Sequence, residues 1–301
     1  MQSLLNTTAQ IAVPVASAIL MFCIGLGLDR AAFVRTFSQP RAVVIALICQ
    51  LLVPPLLALV LVRVIALDPI MAMGLVLVAA CPVATPTNLL TKLARANVSF
   101  SVTLTAATSL FAAVTVPISL WAAANSNSPV AGISLWRIAV SLTLIATAPV
   151  LAGMALRHMR PELTRKLEKL STRIAVVCFV GGVGIAIAGV WDQIALSFAQ
   201  VGLAVVILNV STLAAAHGIA LLAGLGDEYR IGAVLGAGTR RFTMASFVAL
   251  TLFNDARLLL PAVAYALTMW ATSLAIVAMS RRNGVAAPGG SPTANAPVTS
   301  M

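Results

Sequence analysis

Long unbroken apolar runs set the terms for this chain. Nine stretches, at about 10–28, 41–64, 69–90, 98–124, 134–156, 172–192, 198–224, 228–253 and 258–280, are strongly apolar over 19 to 27 residues each. An α-helix needs about 20 such residues to cross a hydrocarbon core about 30 Å thick. The runs are apolar all round rather than on one face, which excludes the amphipathic helices of a soluble bundle. They are continuous rather than alternating with period two, which excludes a β-barrel. Composition agrees, because 60% of the 301 residues are apolar and 9% are charged, against about 45–50% and 25% in soluble domains. The expected fold is an all-α integral membrane protein of nine transmembrane helices over residues 1–282. The remaining residues, 283–301, are small, polar and rich in Pro and Gly, and are expected to form a disordered tail.

Charge position orients the chain. The net charge of +11 comes from 19 Lys+Arg and 8 Asp+Glu. With nine crossings, one set of loops carries Arg30, Arg35, Arg41, Lys92, Arg95, Arg157, Arg160, Arg165, Lys166, Lys169, Arg173, Arg230, Arg281 and Arg282. The opposite set carries Arg63, Arg137 and Arg257. Fourteen against three makes the first set cytoplasmic. The chain is therefore expected in the plasma (inner) membrane, with the N-terminus outside and the C-terminus inside. The basic excess is mostly a topology signal with the lipid bilayer as partner, and nucleic acid is not called for. The first run has no basic stretch ahead of it, and Ala16-Ser17-Ala18 comes too early for a cleavage site, so that run is expected to stay as a span.

Little in the chain points to catalysis. Cys23, Cys49, Cys81 and Cys178 lie within apolar runs and form no C-x-x-C pair, so they read as small buried hydrophobes. His158 and His217 are the two histidines, and all eight acids fall in loops or at run ends. Neither a metal centre nor a nucleophile–base pair can be built from these residues at membrane depth. There is no P-loop, so ATP is not the energy source. The chain is not expected to be an enzyme.

Two runs contain features a plain anchor avoids. The third holds Cys81-Pro82-Val83-Ala84-Thr85-Pro86-Thr87-Asn88. Each proline lacks a backbone donor and clashes with the preceding turn, so the helix should break or kink there. A kink in a packed helix is the plainer reading; the Thr-Pro-Thr-Asn cluster argues for a site, since irregular backbone at this depth survives only inside protein or along a cavity. The eighth run holds Gly232, Gly236 and Gly238, then Thr239-Arg240-Arg241. Arg240 lies ten residues beyond Arg230, which at 1.5 Å per residue is roughly 15 Å, near the midplane. An arginine there costs about 2.5–3.5 kcal/mol on insertion scales. The two broken runs are the third and the eighth, and this odd separation makes equivalent elements run in opposite directions. Runs 2–4 and 7–9 then form inverted triplets with broken, crossing middle members, the pattern of a secondary transporter.

At these residues the sequence resembles the bile acid:sodium symporter family. The resemblance covers about residues 18–280. It is carried by Met21-Phe22-Cys23-Ile24-Gly25-Leu26-Gly27-Leu28 with Phe33, by Gln50 with Pro54, and by Cys81-Pro82, Thr85, Thr87-Asn88, Leu93-Ala94-Arg95-Ala96-Asn97-Val98 and Ser101. The last group follows the family pattern C-P-G-G-T-x-S-N…L-A-x-G-N-x-x-L-S. The chain looks like the nine-span form of the family, which implies a panel of spans 1, 5 and 6 beside a core of spans 2–4 and 7–9. The resemblance also implies two sodium ions where the broken helices cross, and sodium is the one cofactor-like species it suggests. The first ion would map to Thr87, Asn88, Ser101 and Thr105, and the second to Gln50. Both would share an acid and an amide of the eighth span, in a run like E-x-G-x-Q-N.

Here that run reads Gly236-Ala237-Gly238-Thr239-Arg240-Arg241. Gly236 stands at the acid's place and Arg240 at the amide's, with Arg241 next to it. Two like charges 4 Å apart repel by about 4 kcal/mol at an effective dielectric of 20, so sodium beside Arg240 is disfavoured. Two roles stand open for the arginines. One has a guanidinium replacing the missing cation while the other pairs with an anionic substrate; the other has both simply satisfying broken-helix carbonyls. The expected substrate-binding set is Thr85, Thr87, Asn88, Thr239, Arg240 and Arg241. The expected activity is alternating-access transport of a small organic anion. A sodium-independent facilitator or exchanger, or a non-transporting membrane sensor on the same fold, is the alternative.

Overall fold

The structure, a computed structural model, describes residues 39–124, 148–160 and 191–282 apart from 254, with scattered positions between 15 and 177. Most of the runs at 10–28, 134–156 and 172–192, together with Cys178 and the tail at 283–301, lie outside the described residues. The described residues are helical, with one isolated backbone bridge.

Helix α1 (Pro40–Val64) opens on a proline, whose missing N–H costs nothing in a first turn, and widens into a π turn over Ile48–Leu52 just before Pro54 and Pro55. Helix α2 (Pro69–Ala80) is capped by Asp68, whose carboxylate accepts the Ile70 N–H at 2.9 Å. It stops at Cys81-Pro82, and helix α3 (Thr87–Leu93) resumes after an extended stretch. Asn97 caps helix α4 (Val98–Ala123) by accepting the Phe100 N–H at 3.0 Å. Helices α5 (Ala148–Met159) and α6 (Trp191–Leu222) follow. The run expected from residue 198 starts inside α6, because Asp192 and Gln193 end the apolar pattern while the helix continues through them.

Helix α7 (Asp227–Gly238) starts with two acids in its first turn, where they favour the positive helix end. It ends at Thr239, and α8 (Phe242–Leu252) resumes after Arg241. Helix α9 (Ala256–Arg282) begins with a 3-10 turn capped by Asp255. Both expected breaks therefore fall at the proline-threonine and glycine-arginine clusters. Four of the described helices are long and apolar enough to cross a membrane: Pro40–Val64, Val98–Ala123, Val201–Leu222 and Ala256–Arg282.

The helices expose apolar side chains and enclose polar ones beside an apolar core. Along α1, every fourth side chain from Val44 through Ile48, Leu52, Leu56 and Val60 to Val64 is exposed. Besides apolar residues such as Leu75, Leu77, Leu208 and Phe247, the interior holds Gln50, Thr87, Ser101, Thr105, Asn209, Thr239, Arg240 and Arg241. That distribution suits a lipid surround, where outward side chains stay apolar and polar groups must find partners inside. Helices α1 to α4 interlock with α6 to α9: α2 packs on α4 and α9, and α6 packs on α9, α7 and α1. Helix α5 packs against the first run, and its Val150 and Met154 also join the main apolar cluster. A Cβ on Gly25 or on Gly153 would run into the facing backbone, so two glycines let these helices approach closely. Arg157 adds a bond to the Leu26 carbonyl at 2.6 Å.

Candidate functional site

The two breaks meet. Val83, in the α2–α3 break, and Arg240, in the α7–α8 break, form an antiparallel bridge, and the Arg241 N–H donates to the Pro82 carbonyl at 2.9 Å. The chemistry of this crossing follows from carbonyls that the sequence leaves without helical partners. A helix carbonyl is normally taken by the N–H four residues on, and a proline there has none to give. Pro54 thus frees the carbonyl of Gln50, and Pro86 that of Pro82. The ends of α2 and α7 free those of Cys81 and Ala237.

Arg240 collects three of these groups. Its Nη1 donates to Gln50 O at 2.8 Å and to Cys81 O at 3.0 Å, and its Nη2 donates to Ala237 O at 2.6 Å. The guanidinium is 1% exposed. Arg241, 3% exposed, donates Nη2 to Val83 O at 3.0 Å. The Gly238 carbonyl, at the end of α7, accepts from Asn209 Nδ2 at 2.9 Å and from the Tyr265 hydroxyl at 3.0 Å. Asn209 is itself fixed by Thr272, whose hydroxyl donates to Asn209 Oδ1 at 2.8 Å.

Hydroxyl groups hold the neighbouring layer. Thr239 Oγ1 gives its proton to Leu235 O at 2.9 Å, so the 2.5 Å contact with Thr87 Oγ1 has Thr87 as donor. Asn88 Oδ1 accepts from Ser101 at 2.8 Å and from Thr105 at 3.2 Å, and Thr91 donates to Ser101 at 3.2 Å. Thr87, Ser101 and Thr105 are buried, Asn88 is half-buried, and Thr85 is exposed on the break itself. Gln50 lies against Gly236: a Cβ there would overlap the Gln50 amide. The Gln50 amide Nε2 donates to Ala233 O at 3.4 Å, while Oε1 has no hydrogen-bond partner among the described residues.

The expected residues are thus brought together, with a division the sequence did not show. Thr87, Thr239, Arg240 and Arg241 are enclosed in the crossing; Thr85 is open and Asn88 partly so. Sequence reasoning missed Asn209, Tyr265, Thr272 and Thr91. The available signals were an asparagine in mid-run of an apolar helix and one of only two tyrosines. The described acids, Asp68, Glu162, Asp192, Asp227, Glu228 and Asp255, sit at helix ends or between helices. Among the described residues no group of three or more His, Cys, Asp or Glu is placed to hold a metal ion.

The chain matches the sodium bile acid symporter family over residues 14–197, a stretch that contains the first break and ends ahead of the second. It is similar to the uncharacterized sodium-dependent transporter YocS of Bacillus subtilis (strain 168), 29% identical over 57% of this chain and 52% of that protein. It is also similar to the probable sodium/metabolite cotransporter BASS1, chloroplastic, of Arabidopsis thaliana, 30% identical over 65% of this chain and 48% of that one. The mouse sodium/bile acid cotransporter 4 is 28% identical over 58% of this chain and 41% of its own length. The chain spans about half the length of these relatives. Helices that bury polar groups, breaks that meet inside them and a match over most of the sequence lead to one conclusion: this chain belongs to the sodium bile acid symporter family, whose members are membrane transporters and not enzymes.

Proposed function

We propose that the chain is a nine-span secondary transporter of a small organic anion, working by alternating access in the plasma membrane. The observation that carries this reading is the pair of broken helices bridged to one another at Val83 and Arg240. In a membrane such irregular backbone is tolerated only within protein or along a water-filled path. The antiparallel sense of the bridge is what two inverted repeats require where their middle members cross. In this reading α1 to α4 and α6 to α9 are those repeats and form the core, spans 1, 5 and 6 form the panel, and residues 283–301 form a cytoplasmic tail. The N-terminus faces outside, as the arginine and lysine count in the loops requires.

Cargo is assigned by charge and by relatives. Two guanidinium groups sit in the core while the described acids stay at helix ends and loops, so the potential at the crossing favours anions. Relatives named as sodium/metabolite and sodium/bile acid cotransporters support an organic solute. Thr85 and Asn88 are the residues of the expected set that reach the open side, and they take the substrate's polar atoms. Thr87, Thr239, Arg240 and Arg241 hold the backbone that presents them.

The test is uptake of carboxylates, bile salts and sulfonates into proteoliposomes containing the purified chain. Saturable uptake of at least one anion, weakened by Thr85→Val and Asn88→Leu, is expected. Uptake no faster than in protein-free vesicles for every anion, with or without sodium, refutes the proposal.

A further inference from the structure

The residues at the crossing do not fit a sodium ion, and this mismatch has a structural explanation. Gln50 O, Cys81 O and Ala237 O come from the π turn of α1, the end of α2 and the end of α7, and all three point at one guanidinium at 2.6–3.0 Å. Converging carbonyl oxygens freed from helical bonding are the ligands a hard cation wants. Here the cation is supplied by the chain. The position where the family resemblance implies an acid is Gly236, and its space is taken by the Gln50 amide. A sodium ion would therefore meet a filled oxygen cage, a fixed positive charge and no carboxylate.

The neighbouring oxygens offer no better seat. Asn88, Ser101, Thr105 and Thr91 are neutral, and each already takes part in a hydrogen bond within the group. Asn88 Oδ1 already accepts two hydrogen bonds, and a cation there would sit in a core that already buries two guanidinium groups.

We infer that Arg240 is a tethered cation that completes the crossing in place of a coupling ion, so the core assembles without sodium and anion movement is not driven by it. This rests on the transporter reading for its second half only; the sodium-free core stands by itself. The consequence for coupling is direct. A charge that cannot leave cannot carry the energy of an ion gradient, so the crossing gives a sodium gradient no site through which to drive the anion.

The experiment uses the purified full chain in detergent, with sodium-22 retention and melting temperature as readouts. Melting is compared in sodium chloride and potassium chloride at equal ionic strength. An ion that binds only the native state raises the melting temperature, by an amount that grows with the logarithm of its concentration above Kd. The wild-type chain is expected to melt alike in the two salts and to retain no sodium-22 that excess unlabelled sodium displaces. Specific retention, or stabilisation by sodium over potassium, overturns the inference. Gly236→Glu combined with Arg240→Gln supplies an acid and an amide, and requires the Gln50 side chain to give way. This double variant is expected to gain sodium-specific stabilisation and retention over the wild-type chain. The wild-type comparison needs no variant and decides the matter if the double variant does not purify. Neither readout involves transport. A chain that ignores sodium and moves no anion refutes only the transporter reading, and one that moves an anion and binds sodium refutes only this inference.

Discussion

Replacing Arg240 with methionine removes the guanidinium and leaves a flexible apolar chain in its place. Three carbonyls, at 2.8, 3.0 and 2.6 Å from the guanidinium in the native structure, lose their donor. Each buried acceptor left unsatisfied costs about 1–3 kcal/mol, or about 3–9 kcal/mol for the three. Against this, the variant no longer holds a desolvated charge, which returns several kcal/mol. The carbonyls belong to the backbone and cannot be replaced along with their partner, so the balance stays destabilising, at about 2–5 kcal/mol. For a chain of this size that corresponds to a fall in melting temperature of about 5–15 °C. The assay follows reaction of Cys49 and Cys81, both fully buried, with a thiol-reactive fluorophore during heating. Arg241→Met is the control. Its backbone bond to Pro82 survives the substitution, so it is expected to cost less. An Arg240→Met protein that melts within about 2 °C of wild type, or that outlasts Arg241→Met, refutes the reasoning that three orphan carbonyls make Arg240 the keystone.

Other outcomes follow from the same geometry. Thr87→Val and Thr239→Val should be coupled in a double-mutant cycle by about 0.5–1.5 kcal/mol, read from melting, because their hydroxyls bond each other. Asn209→Leu and Tyr265→Phe should each be mild, since the Gly238 carbonyl keeps one donor; together they should cost more than the sum of the singles, and simple additivity would contradict the shared-acceptor geometry. Gly153→Leu should sharply lower the yield of folded protein by forcing α5 off the first run, whereas Gly218→Leu, which meets open space, should leave yield and melting near wild type.

What the sequence determined by itself was local or statistical. Unbroken apolar runs demand a bilayer because a hydrophobic length of about 20 residues has no other solvent. Pro82 and Pro86 announced the first break, since a missing N–H and a ring clash act within one turn. Arg240 announced the second, because a charge about 15 Å from the helix end is costly wherever it points. The cluster of Thr87, Asn88, Ser101 and Thr105 was legible for a similar reason: hydroxyls and amides in an apolar run must be facing partners.

Only the tertiary structure decided what those groups bind. Arg240 finds its acceptors 190 and 159 residues away, on Gln50 and Cys81. Nothing in the identity of Gln50 says that its backbone, rather than its side chain, receives the charge. The cause lies four residues on, in Pro54, whose lost donor frees that carbonyl, but the helix that delivers the guanidinium comes from the other half of the chain. Gly236 likewise looked like a missing acid and proved to be the space for the Gln50 amide. A sequence states which backbone groups are left unsatisfied. Which donor reaches them depends on how two broken helices are laid across each other, and that is fixed by the packing of all the helices around them.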